Sequence, residues 1–461
     1  MTGNQNFFNI SLRQNMTSKG QNYLYHFTMK KHFVILLLFS NGLTMSALVD
    51  PRPAKQSSRI YGASSDKATE SPTSNLEDLQ RRAGAIASSF KQNEFNPIPM
   101  LSNSHIQTIG SFFLRDIPEF AYVRNPASTF LAMLQASRNK KESSASPFWE
   151  HRIRYDTPDK DFFDVDYKFV PYSKRGLVII LHGLESNSKS SLTQEMAKAF
   201  GALGLDVCCL NFRGCSGEPN LTIGGYHLGF TADLIQLLDS LTPSTQPIYL
   251  AGFSLGGNCV LKALGEMGVA AVESYNIQGA ATFCVPLDNE RNAPCLSQPG
   301  INRLIYTNNL LRTLRRKARD QLDQFCNSDK STTLFDYHGA VNAETITDFD
   351  GAFIAPIYGF ENAADYYRKT SSAYFLEKIA VPTLLLNSKD DPFMDPNYFP
   401  LETSRQHGGR APVNMVRTNS GGHLGFVLHQ VGDSEVVPQT SWGSAEMARF
   451  IKHVMETTNI I

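Results

Sequence analysis

The sequence predicts an α/β fold: a mostly parallel central sheet with helices on both faces. Three observations predict it. From about residue 163 to residue 286, short apolar runs alternate with stretches of helical spacing, the mark of strand–helix–strand units. The run Leu177–Leu181 is continuously apolar, as expected of a strand covered on both faces. Finally, Gly252-Phe253-Ser254-Leu255-Gly256-Gly257 stands between the apolar run Pro247–Ala251 and a helical pattern of Val260, Leu261, Ala263, Leu264 and Met267.

Taken in order, the pattern predicts a strand over Phe163–Phe169 and a second ending at His182. A helix over Thr193–Leu203, a strand over Asp206–Asn211 and a helix over Thr231–Leu241 follow. After the Ser254 turn comes a strand over Ala280–Pro286. Further strands are expected at Pro382–Leu386 and around Val413, Met415 and Val416. Between them, from about 287 to 379, strand signal is weak and the segment is too long for a plain loop. It is expected to be a helical cap that excludes water and forms part of the substrate pocket. Leu311, Leu314, Ala318, Leu322 and Phe325 fall near helical spacing there, with Arg312, Arg315, Arg316, Lys317 and Arg319 around them. That basic helix suits a peripheral contact with an anionic membrane, or a solvated face balanced by Asp320 and Asp323. The cap aromatics, among them Phe353, Tyr358, Phe360, Tyr366 and Tyr367, are expected mainly in packing. The chain has no internal repeats.

G-x-S-x-G between a strand and a helix is a nucleophile elbow: its glycines permit a sharp turn that lifts the Ser254 hydroxyl into a cleft. A serine hydroxyl needs a base to take its proton and a carboxylate to orient that base. Asp390 and Asp391 follow one predicted strand, and His423 lies in the glycine-rich loop Asn419–Gly425 after another. The order serine, acid, histidine is the one this elbow calls for, and either acid could serve. The main-chain N–H groups of Leu255 and Leu184 are the candidates for an oxyanion hole, with His182 shaping the turn before Leu184.

The motifs also resemble those of the YheT-like branch of the α/β-hydrolases. The resemblance rests on Leu181–Asn187, Asn211–Asn220, Tyr226-His227, Gly252–Asn258, Phe349-Asp350, Gly359–Arg368, Asp390–Met394 and Gly421–Gly425. Phe95–Pro99 with His105-Ile106-Gln107-Thr108 adds an N-terminal signature, so coverage runs from Phe95 to the C-terminus. The resemblance implies an α/β-hydrolase fold with a helical cap insertion, and esterase or lipase-like chemistry on acyl esters. It implies Ser254 as nucleophile, His423 as base and Asp391, directly before Pro392, as acid. The expected partner is a small acyl ester or lipid. An acyltransferase using the same residues is the alternative, and a non-catalytic binding module of the same fold is a third class. No cofactor and no metal are expected.

Composition agrees. Lys plus Arg number 43 and Asp plus Glu number 43, so there is no excess positive charge to direct the chain to nucleic acid. The seven cysteines include no C-x-x-C pair and no zinc pattern; free buried thiols are the simpler expectation. Lys30-Lys31-His32 before Phe33–Phe39, with Ser46 and Ala47 beyond, resembles a signal peptide, best if translation starts at Met29. The expected organisation is a leader over 1–50, a linker over 51–90 and the hydrolase domain over 91–461 with its cap insertion. Within the linker segment, Leu76–Phe90 has the pattern of a short helix. Export or membrane association follows if residues 30–47 act as signal or anchor, and a cytoplasmic location otherwise.

Overall fold

The computed structural model describes residues 72–115, 122–123, 147–171, 175–243, 246–325, 335–400, 411–431 and 440–458. The leader, the first part of the linker and Cys326 lie outside them, as does the polar stretch Ser137–Ser146, whose composition predicts an exposed loop. Eight strands form the main sheet: β1 (His151–Asp156), β2 (Phe162–Lys168), β3 (Leu177–Leu181), β4 (Asp206–Asn211), β5 (Ile248–Phe253), β6 (Ile277–Phe283), β7 (Thr383–Ser388) and β8 (Val413–Thr418). Their spatial order is β1-β2-β4-β3-β5-β6-β7-β8. β2 runs antiparallel to both β1 and β4, and every other pairing is parallel.

Side chains alternate across the sheet, and each face has its own core. On one face Ile179, Leu181, Cys208, Leu210 and Leu250 pack together; on the other, Val178, Ile180, Val207, Tyr249 and Ala251 do so. Burial on both sides is why β3 reads as an unbroken apolar run. Helices α3 (Ser191–Gly201) and α9 (Trp442–Thr458) cover the second face; α4 (Ala232–Leu241) and α5 (Leu255–Met267) cover the first.

β1 carries no clear signal in the sequence because it is an edge strand, exposed along most of its length. Its arginines hold it. Arg152 forms a two-pronged pair with Asp166 at 2.7 Å, and Arg154 one with Asp164 at 2.9 Å. The second part of the expected linker is likewise structured, since Pro72–Ser89 forms helix α1. Ala83, Ile86 and Ala87 are buried on one side of α1, and Asn414 on β8 donates to the carbonyls of Ala87 and Phe90 at 2.9 and 3.2 Å. Helix α2 (Ser104–Leu114) follows, started by Asn103, whose side chain accepts from the N–H groups of His105 and Ile106.

Between β6 and β7 the described residues are helical or irregular, without a strand. They include α6 (Asn289–Leu296), a π-helical turn at Asn302–Thr307, α7 (Asn308–Phe325), a second π-helical turn at Asp350–Ile354 and α8 (Ala363–Thr370). Asn258 of α5 ties this segment to the core: it donates to Leu228 and Thr370 carbonyls at 3.0 and 2.8 Å and accepts from Ser372 N–H at 2.8 Å. Among the described residues no helix is long and apolar enough to cross a membrane.

Candidate active site

Ser254 joins β5 to α5 with φ 52° and ψ −126°, a backbone strained for a residue with a side chain. Neighbours hold it there: its N–H donates to Phe283 at 2.9 Å and its carbonyl accepts from Asn258 N–H at 3.1 Å. Gly256 is required by space. A Cβ there would lie 2.2 Å from the Leu181 carbonyl oxygen and 2.3 Å from that of His182, so α5 could not sit so close to the end of β3.

From this turn Ser254 Oγ lies 3.0 Å from His423 Nε2, and His423 Nδ1 lies 2.8 Å from Asp391 Oδ2. Both the imidazole and the Asp391 carboxylate are buried. A proton on Nδ1 donated to Asp391 leaves the Nε2 lone pair facing the hydroxyl. The two adjacent acids occupy different places. Asp390 accepts from Gly422 N–H at 2.9 Å, and burial raises its pKa. Leu184 and Leu255 line the same cavity as Ser254 and His423. His182 is buried away from the chemistry: its Nδ1 donates to Gly183 at 2.8 Å and its Nε2 accepts from Phe212 N–H at 3.1 Å. Burial lowers its pKa to about 4.

Several groups around the histidine have little or no signal in the sequence. Thr108 on α2 accepts from the His423 N–H at 2.8 Å, and Gln107 accepts from Val427 N–H at 3.1 Å. Arg115, just after α2, donates to the carbonyls of Leu424 and Gly425 while pairing with Glu195 at 2.9 Å. The loop can approach α2 this closely because Gly422, at φ +61°, has no Cβ; one there would lie 2.5 Å from the Ser104 oxygen. Phe393 stacks on the imidazole with centroids 4.0 Å apart and planes 6° from parallel. The signature His105–Thr108 pointed at Thr108, but only the fold reveals what it touches.

Cys284 Sγ, Asp391 and His423 also bring metal-ligand atoms within 4.8 Å of one another. Burial pushes the Cys284 thiol well above its ordinary pKa, and its sulfur accepts from Leu424 N–H at 3.2 Å. The 2.8 Å Asp391–His423 hydrogen bond and the Leu424 N–H on the Cys284 sulfur give these groups partners of their own, and the former is the geometry of proton transfer. The six cysteines among the described residues are all free and buried.

The cavity beside Ser254 has a volume of about 800 Å³, within the range that holds a small organic ligand. Its walls are largely apolar, with Leu184, Leu228, Leu296, Leu310, Leu314 and Phe353 among them. Of the cap aromatics, Phe353, Tyr366 and Tyr367 reach the cavity, whereas Tyr358 packs into the core. The basic helix α7 is not a uniform positive face. Lys317 turns inward to Glu185 at 3.0 Å, and Arg315 donates to the Ala343 carbonyl, while Arg312 and Arg316 are exposed. Burial opposes charge on Glu185, but Lys317 outweighs it and holds the carboxyl below its ordinary pKa. Tyr226 completes this arrangement by donating to Glu185 Oε1 at 2.7 Å and accepting from Glu185 N–H at 2.8 Å.

The strand order, the strained serine elbow and the loops gathered above it are those of an α/β hydrolase. The chain belongs to the alpha/beta hydrolase fold family, whose features match residues 176–430. Within that family, it is 29% identical over 313 residues to "Putative esterase YheT" of Escherichia coli (strain K12), covering 67% of this chain and 87% of that one. It is 31% identical to phospholipase ABHD3 of Homo sapiens, over 58% of this chain and 63% of the relative. With medium-chain fatty acid ethyl ester synthase/esterase 2 of Saccharomyces cerevisiae it shares 27% identity, over 59% of this chain and 61% of the relative. The chain thus spans less than two thirds of the length of the latter two.

Proposed function

We infer that this chain is a carboxylic ester hydrolase that works through an acyl-enzyme on Ser254. The observation that carries this reading is the continuous hydrogen-bonded line from Ser254 Oγ through His423 to Asp391, all at 2.8–3.0 Å, opening into an apolar cavity. Its esterase and phospholipase relatives support the ester as substrate class.

In this mechanism Ser254 Oγ attacks the ester carbonyl as His423 Nε2 takes its proton. Asp391 stabilises the imidazolium that forms. The Leu184 and Leu255 N–H groups receive the developing oxyanion, helped by the N-terminus of α5; each such donor is worth about 3 kcal/mol. His423 then protonates the leaving alcohol, and water activated by the same ring releases the acid. The helices between β6 and β7 act as a cap. Their apolar side chains shield the acyl group, which strengthens every charge interaction at the carbonyl.

Rapid mixing with a p-nitrophenyl ester tests the reading. A burst of p-nitrophenol equal to the enzyme concentration, with an acyl adduct on the Ser254 peptide, is expected. Turnover without an adduct on that peptide would refute the covalent route.

A further inference from the structure

Asp350 is not used by the mechanism above, yet it lines the same cavity as Ser254 and is only 9% exposed. It opens the π-helical turn Asp350–Ile354, an irregularity found disproportionately at functional sites. Its Oδ2 accepts from the Tyr367 hydroxyl at 2.7 Å. Among the described residues the Tyr367 hydroxyl is the side chain that holds this carboxyl, and no charged neighbour contributes to its titration. The surrounding wall is apolar, built from Ile346, Phe349, Phe353 and Ile354. Burial raises the carboxyl to about 7, against the lowering effect of the Tyr367 hydrogen bond. A lone carboxyl in such a wall is costly unless a ligand engages it, and binding pockets use a few such polar points to orient what they hold.

The chemistry of the group narrows the ligand. An anion would be repelled by the ionised acid, and an ammonium would have to give up its own hydration in the apolar wall to pair with it. A hydroxyl fits both states: it donates to a carboxylate, and it accepts from a protonated acid. We propose that Asp350, oriented by Tyr367, binds a neutral hydroxyl of the ester substrate, so that this hydrolase prefers hydroxyl-bearing esters to plain alkyl esters. The hydroxyl can belong to the alcohol part, as in a glycerol ester, or to a hydroxylated acyl chain. The proposal rests on the ester-hydrolase reading.

Kinetics of the full chain on 1-hexanoylglycerol, an ethyl hydroxyhexanoate and ethyl hexanoate test it, the first two separating the sources of the hydroxyl. The wild type is expected to favour at least one hydroxylated ester over ethyl hexanoate by roughly tenfold in kcat/KM, the scale of one hydrogen bond to a buried acid. Asp350→Leu should abolish that preference, lowering kcat/KM on the favoured hydroxylated ester roughly tenfold more than on ethyl hexanoate. Asp350→Asn, which can still donate and accept, should retain most of it. Tyr367→Phe, which leaves the acid but not its orientation, should reduce it and serves as the test if Asp350→Leu fails to fold. Equal activity of the wild type on all three esters would overturn the proposal and leave the hydrolase reading standing. So would an equal loss on all three in the variants. Failure of the wild type to cleave any of them would count against the hydrolase reading itself, and the proposal would fall with it.

Discussion

The main chain of His423 donates to the Thr108 hydroxyl at 2.8 Å, so the loop carrying the proposed base is braced by a helix from the opposite end of the chain. The Thr108 hydroxyl in turn donates to Ser104 at 2.7 Å, which fixes its lone pairs toward the loop. Thr108→Val keeps the shape and removes the acceptor. Roughly a ten- to hundredfold loss in kcat with KM little changed is expected, because small displacements of a base weigh heavily on rate. Thr108→Ser should restore most of it. Steady-state kinetics on a p-nitrophenyl ester, with circular dichroism to check folding, reads this directly; full activity in Thr108→Val would show that the brace is dispensable.

The two neighbouring acids should separate cleanly. Asp391→Asn removes the charge that would stabilise the imidazolium and disturbs the tautomer, so kcat should fall about 10³- to 10⁴-fold. Asp390→Asn leaves an oxygen to accept the Gly422 N–H and should cost less than about tenfold. A reversal of that ranking in kcat would assign the acid to Asp390.

His227 gives a pH signature in stability. Burial, and to a lesser degree Lys262, lowers its pKa to about 3, so it is neutral in the folded protein. The unfolded chain takes up its proton near pH 6.5, and the folded form resists until pH 3. The stability linked to this ring is therefore complete above pH 6.5 and lost progressively as pH falls toward 3. Between pH 7 and pH 5 the wild type should lose roughly 2 kcal/mol more than His227→Phe, whose ring suits the aromatic surroundings of Phe230, Tyr358 and Tyr366. Urea unfolding of both proteins at the two pH values provides the comparison. Parallel losses would mean that His227 titrates normally.

Much of the fold was legible in the sequence because its core strands are buried on both faces. The run Leu177–Leu181 and the glycines around Ser254 have few other physical explanations, and both lie where the pattern placed them. β1 was not legible, since an exposed edge strand needs no apolar alternation and is held by Arg152 and Arg154 pairing across to β2. Helix α1 was seen only as a short helical pattern inside a linker; its buried side includes Ala83, Ile86 and Ala87, with Gln80 donating to the Glu377 and Ile379 carbonyls, and these residues acquire meaning only against distant parts of the chain. At the site, Ser254 and His423 announced themselves by glycine-rich context. Asp390 and Asp391 could not be ranked from their own chemistry, because what distinguishes them is the direction each side chain takes: one to a ring nitrogen, the other to a backbone N–H. Arg115 has no local signal, since its partners Glu195, Leu424 and Gly425 are distant in sequence.

Covalent labelling reports directly on whether Ser254 is the nucleophile. A fluorophosphonate probe applied to the folded protein, followed by digestion and mass spectrometry, should place one adduct on the peptide containing Ser254, and Ser254→Ala should lose the label while keeping its fold. Undiminished labelling of that variant, or an adduct on a different residue of the wild type, would place the nucleophile elsewhere.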